Sequence, residues 1–176
     1  VLCAGARPLV LVDTLCQDSA SAQPMIAEFR RCALDAGIDP DAVTGSTEDN
    51  VATTQTGVGV TIIGVMHHED VPKSLDGDVL VCVGAPISAP NDDVALGRRE
   101  IVGVTEVKAL MASGKVHDCV PVGSHGVAWE AKQLASTAGL RVAFQPTDVD
   151  LTRSGGPATC VVMACALSLI HISEPT

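Results

Sequence analysis

Cations are scarce in this sequence: 11 lysines and arginines stand against 21 aspartates and glutamates, for a formal charge of −10. Binding a phosphate backbone depends on clustered Lys and Arg, so this balance argues against a nucleic-acid partner. Long apolar runs are missing too. Each is broken by glycine or a polar residue well before the roughly 20 residues that span a bilayer, and no basic segment precedes an apolar one as in a secretory leader. The expectation is a soluble protein with no membrane partner. No CxxC pair occurs among the seven cysteines (Cys3, Cys16, Cys32, Cys82, Cys119, Cys160, Cys165), most of which lie inside apolar runs where cysteine acts as a small hydrophobe. Zinc and a disulfide framework are thereby disfavoured, and a reducing cytoplasm is the expected compartment. Neither a Walker motif nor GxGxxG is present, and no repeat period is visible. What is present is 47% hydrophobic residues over 176 positions, which argues against disorder and allows one full domain or parts of two.

The chain starts at Val1 inside an apolar stretch, and its last ten residues, 167–176, resemble a sequencing adapter translated in frame. Neither end reads as a natural terminus, and the tail is set aside from fold reasoning. Between them, residues 9–12 form a short apolar run bounded by turn residues, which predicts a buried strand. Ser21 or Gln23 followed by Pro24 predicts a helix start, with Met25, Ile26, Phe29, Cys32, Ala33 and Ala36 on one face and Gly37 closing it. Residues 44–56 read as a polar, turn-forming block, residues 58–66 as a β-rich strand, and residues 67–77 as a linker. A second system follows: a strand from residue 78, a loop at 86–93, and a helix through Val102, Val107, Leu110 and Met111 that stops at Gly114. After it come a strand at 116–122 and a helix that Ser124 can cap, ending at Gly139. Strands at 140–144 and 159–164 complete the pattern. The fold class is α+β, in two units: a partial N-terminal sheet-and-helix domain at 1–66 and a C-terminal α+β domain at 78–166.

Three segments can carry chemistry. Thr44-Gly-Ser-Thr-Glu-Asp-Asn50 holds two carboxylates, an amide and three hydroxyls in seven residues, hard oxygen donors of the kind Mg²⁺ takes together with water or substrate phosphate. The same composition also makes an acidic turn whose side chains bond their own backbone. Pro121-Val-Gly-Ser-His-Gly126 lies at a strand-to-helix junction, where free amides and the helix dipole favour an anion; it is equally an ordinary capped helix start. Arg153-Ser-Gly-Gly-Pro157 is a glycine-bearing loop with a cation beside it, fit to close over phosphate or simply to turn. A metal site at residues 67–70 is disfavoured, because adjacent side chains in a linker rarely converge. Glu130 is expected to be solvated.

Taken together, Gly5-Ala-Arg-Pro-Leu-Val-Leu-Val-Asp-Thr-Leu15, the 44–50 segment, the 58–66 strand and Gly77-Asp-Val-Leu-Val resemble the aminoimidazole ribonucleotide (AIR) synthase, or PurM-like, superfamily. That superfamily includes thiamine-monophosphate kinase, selenophosphate synthetase and a hydrogenase maturation factor. Residues 44–50, Gln55-Thr-Gly-Val-Gly59 and residues 121–126 look most like the α-ribazole kinase type. The resemblance covers residues 1–166. It implies an ATP- and Mg²⁺-dependent small-molecule phosphotransferase, homodimeric through the N-terminal sheet, with an upstream metal-binding segment not contained in this chain, so that the fragment alone is expected to be inactive. The alternatives are an ATP-using ligase or cyclase of the same superfamily and a non-catalytic dimeric relative. By resemblance, the nucleotide-binding candidates are Thr47, Glu48, Asp49 and Asn50, then Gly123, Ser124, His125 and Gly126, then Ser154, Gly155 and Gly156. Glu48 and Asp49 are also the metal candidates. The Gly-Gly-Asp or Gly-Gly-Glu of other members is here Gly45-Ser-Thr-Glu48, and Ser124-His-Gly126 has no carboxylate, which favours phosphate or substrate over metal there.

Overall fold

Successive residues of a strand point to opposite faces, and Arg7–Leu15 (β1) turns Leu11, Asp13 and Leu15 to the same covered side. The computed structural model describes residues 1–95 and 97–166 and divides the chain into two units, Val1–His68 and the residues from Glu69 onward. The 167–176 tail expected to be adapter-derived lies outside the described residues.

In the first unit the covering element is a helix, Ser19–Ala36 (α1). It begins earlier than Pro24 predicts, because Asp18 caps it: the Ser21 amide donates to the Asp18 carboxylate at 2.9 Å. Pro24 therefore lies inside the helix. At the other end Gly37 adopts φ +89°, and the Ile38 amide reaches back to the Ala33 carbonyl, a Schellman closure that needs a left-handed residue. A crossover of this kind returns the chain parallel to β1, and Val43–Thr47 (β2) pairs with it from Leu11↔Val43 to Leu15↔Thr47. Residues 44–47, expected as turn, are thus strand, since the edge of β1 supplies their hydrogen bonds. Val58–Val65 (β3) pairs antiparallel on the other side of β1, with a bulge between Pro8 and Val10. The sheet order is β2-β1-β3, and Leu11, Ala33 and Ile38 form the core with Phe29 and Val43.

The second unit is built on Val79–Val83 (β4), Val104–Ala112 (α2), Val116–Pro121 (β5), Val127–Thr137 (α3) and Val161–Cys165 (β6). Its sheet is antiparallel in the order β4-β6-β5, so β6 is central and all five of its residues are buried. Val122, Val127, Ala131, Leu134, Cys160 and Val162 form the core between α3 and the sheet. Part of the expected linker is bound into this unit: the Lys73 amide donates to the His117 carbonyl, and the Ser74 amide and hydroxyl donate to Asp118 at 3.2 and 3.1 Å. Asp78 pairs with His117 Nδ1 at 2.8 Å. Residues 140–144, predicted as a strand, form none: among the described residues no strand pairs with them, and the Leu140 amide instead closes α3 on the Ala135 carbonyl. The helix predicted to be capped by Ser124 instead has Gly126 at its cap position, with no side chain bonding its amides. Both units mix helices and small sheets, the α+β class expected. Among the described residues, no helix is long and apolar enough to cross a membrane.

Candidate functional site

In the first unit the chemistry-bearing residues gather where β1 and β2 end, the side from which parallel strands present ligand-binding loops. There the carboxylates are bound to the chain's own donors. The Ser19 amide donates to Asp49 Oδ1 at 2.8 Å and the Thr47 hydroxyl to Asp49 Oδ2 at 2.7 Å. These bonds, led by the Ser19 amide, hold the Asp49 carboxyl below its ordinary value of 3.8. Asp49 thus serves, with Asp18, the first turn of α1, where negative charge meets the positive end of the helix dipole. Glu48 Oε1 accepts from the amides of Asn50 and Val51 at 2.7 and 3.0 Å, and the Glu48 amide donates to Gln17. Thr47, Glu48, Asp49 and Asn50 are therefore one constellation, locked by local hydrogen bonds. Among the described residues no three Asp, Glu, His or Cys side chains converge as a metal cage. Mg²⁺ needs no such cage when phosphate and water complete its shell, and Glu48 Oε2, which no hydrogen bond from a described residue engages, is the oxygen that fits it.

In the second unit two of the expected segments meet. The Gly155 amide donates to the Gly123 carbonyl at 3.0 Å, and the Ala128 amide, in the first turn of α3, to Leu151 at 2.8 Å. Gly123, Ser124, His125 and Gly126 thereby adjoin Ser154, Gly155 and Gly156. Two of the glycines are required by this packing. Gly126 has φ +81°, and a Cβ there would stand 2.7 Å from the Thr152 carbonyl carbon; one on Gly155 would stand 2.9 Å from Val122 Cγ1. The space beside these two residues is thus filled by the protein itself. Glu130, expected to be solvated, is half-buried and accepts from the Gly123 amide at 3.4 Å, while Ser154 Oγ accepts from the Gly156 amide. What faces outward is Ser124 and His125. The His125 ring stacks on Trp129 with centroids 4.9 Å apart.

Arg153, the cation of this loop, is not free for phosphate: its Nη2 donates to both oxygens of Asp92 at 2.5 and 2.6 Å. The Ser88 amide and then this guanidinium hold the Asp92 carboxyl below its usual range. Two residues not singled out by the sequence organise these sites. Thr159, buried, donates or accepts at Ala85, Ile87 and Gly155, which ties the 85–92 loop to the glycine loop. Asp13, 4% exposed, lies against Gly45 across the β1–β2 pair; an acid inside the run Leu9-Val-Leu-Val-Asp13 is the signal that could have found it.

The arrangement of elements is that of the AIR synthase, or PurM-like, fold. The structure superposes on a crystal structure of hydrogenase maturation protein HypE in complex with ATP with TM-score 0.63 and 14% identity, over 96% of this chain and 60% of that one. Escherichia coli HypE gives 0.62 at 16% identity, over 97% and 63%. Phosphoribosylformylglycinamidine synthase II from Thermotoga maritima gives 0.57 at 17%, over 95% of this chain and 31% of that one. The chain thus spans about 60% of the length of the HypE proteins it resembles. No protein-family profile matches the sequence, and no curated protein matches it either.

Proposed function

We propose that this chain is part of an ATP- and Mg²⁺-dependent small-molecule phosphotransferase, of the α-ribazole kinase type, working in the cytoplasm as a homodimer. The observation that carries the reading is the likeness, over 96% of the chain, to HypE crystallised with ATP; PurL of the same fold has been crystallised with ADP and with AMPPCP. ATP would supply the γ-phosphoryl group, with Mg²⁺ neutralising its charge. The residues assigned to it divide by unit. Glu48, through Oε2, is the metal-holding candidate of the first unit, while Asp49 and Thr47 keep the loop in place and Asn50 lies exposed beside them. In the second unit Ser124 and His125 are the groups that would meet phosphate, and Gly123, Gly126 and Ser154–Gly156 give the turn its shape. The second copy would cover β3, the exposed edge of the first unit's sheet, where Val58, Val60 and Ile62 on one face and Ile63 and Val65 on the other are each more than 40% exposed.

Titration calorimetry with ATP tests this reading. Binding should require Mg²⁺ and weaken at least tenfold in Glu48→Gln, which retains an acceptor for the Asn50 and Val51 amides, with an unchanged melting temperature. Equal affinity with and without Mg²⁺, or in the variant, would overturn it. A second reading, an ATP-using ligase or cyclase, is favoured by the match to a synthase. It differs in product: a kinase leaves a phosphorylated hydroxyl, whereas a ligase releases ADP and inorganic phosphate.

A further inference from the structure

Strand pairing brings together two cysteines that are far apart in the sequence. Cys82 in β4 lies opposite Val162 in β6, and Cys160 comes two residues before Val162, so both side chains stand on the face that α3 covers. Packing agrees: Cys160 belongs to the core there, and Cys82 packs against it. Just beyond the last ladder pair, Val83 and Val161, the two backbones come close, and a Cβ on Gly84 would stand only 3.2 Å from Cys160 Cα. Both thiols are free, but they differ in access. Cys160 is 0% exposed, whereas Cys82 is half-buried and borders a cavity of about 1000 Å³. The Cys160 thiol donates to Cys82 and holds the Cys82 thiol below its ordinary value; serving as that donor, and then burial, push the Cys160 thiol up. An oxidisable cysteine has this character, being partly exposed and inclined to the thiolate, with a second thiol beside it to resolve what forms.

We propose that Cys82 and Cys160 form a peroxide-sensitive dithiol, in which Cys82 reacts first and Cys160 closes a reversible disulfide between β4 and the start of β6. The Cys82 thiolate attacks one oxygen of hydrogen peroxide: an S–O bond forms, the O–O bond breaks, and the departing hydroxide takes up a proton to become water. The Cys160 sulfur then attacks the Cys82 sulfenic acid. The S–S bond forms, the S–O bond breaks, and the hydroxyl leaves with the Cys160 proton as a second water. Two thiols thus lose the two electrons that one peroxide gains. Diagonal neighbours on adjacent strands lie ~7–8 Å apart at Cα, and a disulfide takes ~4.4–6.8 Å, so closure needs a shift of about an ångström. β4, paired on one side only, is placed to make it. In a reducing compartment such a bond is transient, a sensor rather than a staple. Thr159, adjacent to Cys160, ties the 85–92 loop to Gly155, so the bond fastens β4 to the segment that supports the glycine loop. The inference does not depend on the nucleotide reading.

Peroxide titration of the 176-residue chain, followed by thiol blocking and peptide mapping without reductant, tests this. At a few equivalents of peroxide the wild type, in dilute monomer, should yield a peptide linked through Cys82 and Cys160 that dithiothreitol removes. In Cys160→Ala, Cys82 should stop at the sulfenic acid and be trapped by dimedone at least tenfold more than in the wild type, while in Cys82→Ala the Cys160 thiol should stay free. A wild type in which Cys82 is oxidised without ever bonding to Cys160, or in which Cys82 survives while Cys160 is oxidised, would overturn the proposal. So would Cys160 oxidised as readily in Cys82→Ala as in the wild type.

Discussion

β3 and β6 read alike in the sequence, as short runs rich in Val, Ile and Met, yet they have opposite fates. β6 is the central strand of its sheet and buried along its whole length, whereas β3 is an edge strand on which Val58, Val60, Ile62, Ile63 and Val65 are 41–53% exposed. Hydrophobicity states what a strand gains from a covering. It does not state whether the chain at hand provides one. β6 receives two neighbouring strands and α3; β3 receives one strand, and the apolar surface it keeps is what a second copy would remove from water.

The contrast is sharpest under truncation. Met163→Ala, at 1% exposure, should lower unfolding free energy by about 3 kcal/mol, measured by denaturant titration, while Ile62→Ala in β3 should change it by less than about 1 kcal/mol in dilute monomer. Equal losses would erase the distinction between the strands. Overpacking probes the same unit from its glycine loop: Gly155→Ala should cost about 2 kcal/mol, because the new methyl overlaps Val122. In that loop Ala158 holds φ +64°, a conformation disfavoured for a residue with a Cβ. Ala158→Gly should therefore stabilise slightly, by about 0.5 kcal/mol once glycine's greater chain entropy is counted, seen as a small rise in melting temperature.

The first unit offers a pH test. The Asp49 carboxyl is held below 3.8 by the Ser19 amide and the Thr47 hydroxyl, so its contribution is complete above the unfolded-state value and is lost as pH falls through the lower folded-state value. Wild type should lose stability below about pH 4 more steeply than Asp49→Asn, with the two profiles converging in acid; parallel profiles would show that the carboxylate does nothing for α1. The smallest effect concerns Ile62→Thr with Ile63→Thr: the monomer's melting temperature should stay the same within error, while light scattering shows reduced self-association.

Much of the fold was legible because local signals agreed. The run at residues 9–12, the glycine stop at Gly37, the apolar face around Val127, Ala131 and Leu134, and the β-rich runs at 58–66 and 159–164 all formed elements. The failures share a cause, in that pairing is not a local property. Residues 44–47 became strand because β1 had a free edge, and residues 140–144 did not because no described strand lies beside them. The helix start was misplaced at Pro24 because Asp18 caps the chain earlier, and the helix runs on through a proline at its sixth position despite the backbone hydrogen bond lost there. For the site, composition marked the right segments but not their engagements. Residues 121–126 and 153–157 do meet, yet Arg153 is turned to Asp92 by a contact 61 positions away, which no spacing rule reveals.

The central proposal is that Glu48, in the first unit, holds the Mg²⁺ of a bound nucleotide. A hydrogen-exchange footprint of the chain with Mg²⁺ and AMPPCP tests it most directly. The account predicts slowed exchange at residues 47–50, abolished when EDTA removes the metal. Protection confined to other segments, or none at saturating nucleotide, would contradict it and leave residues 47–50 as an acidic turn that caps α1.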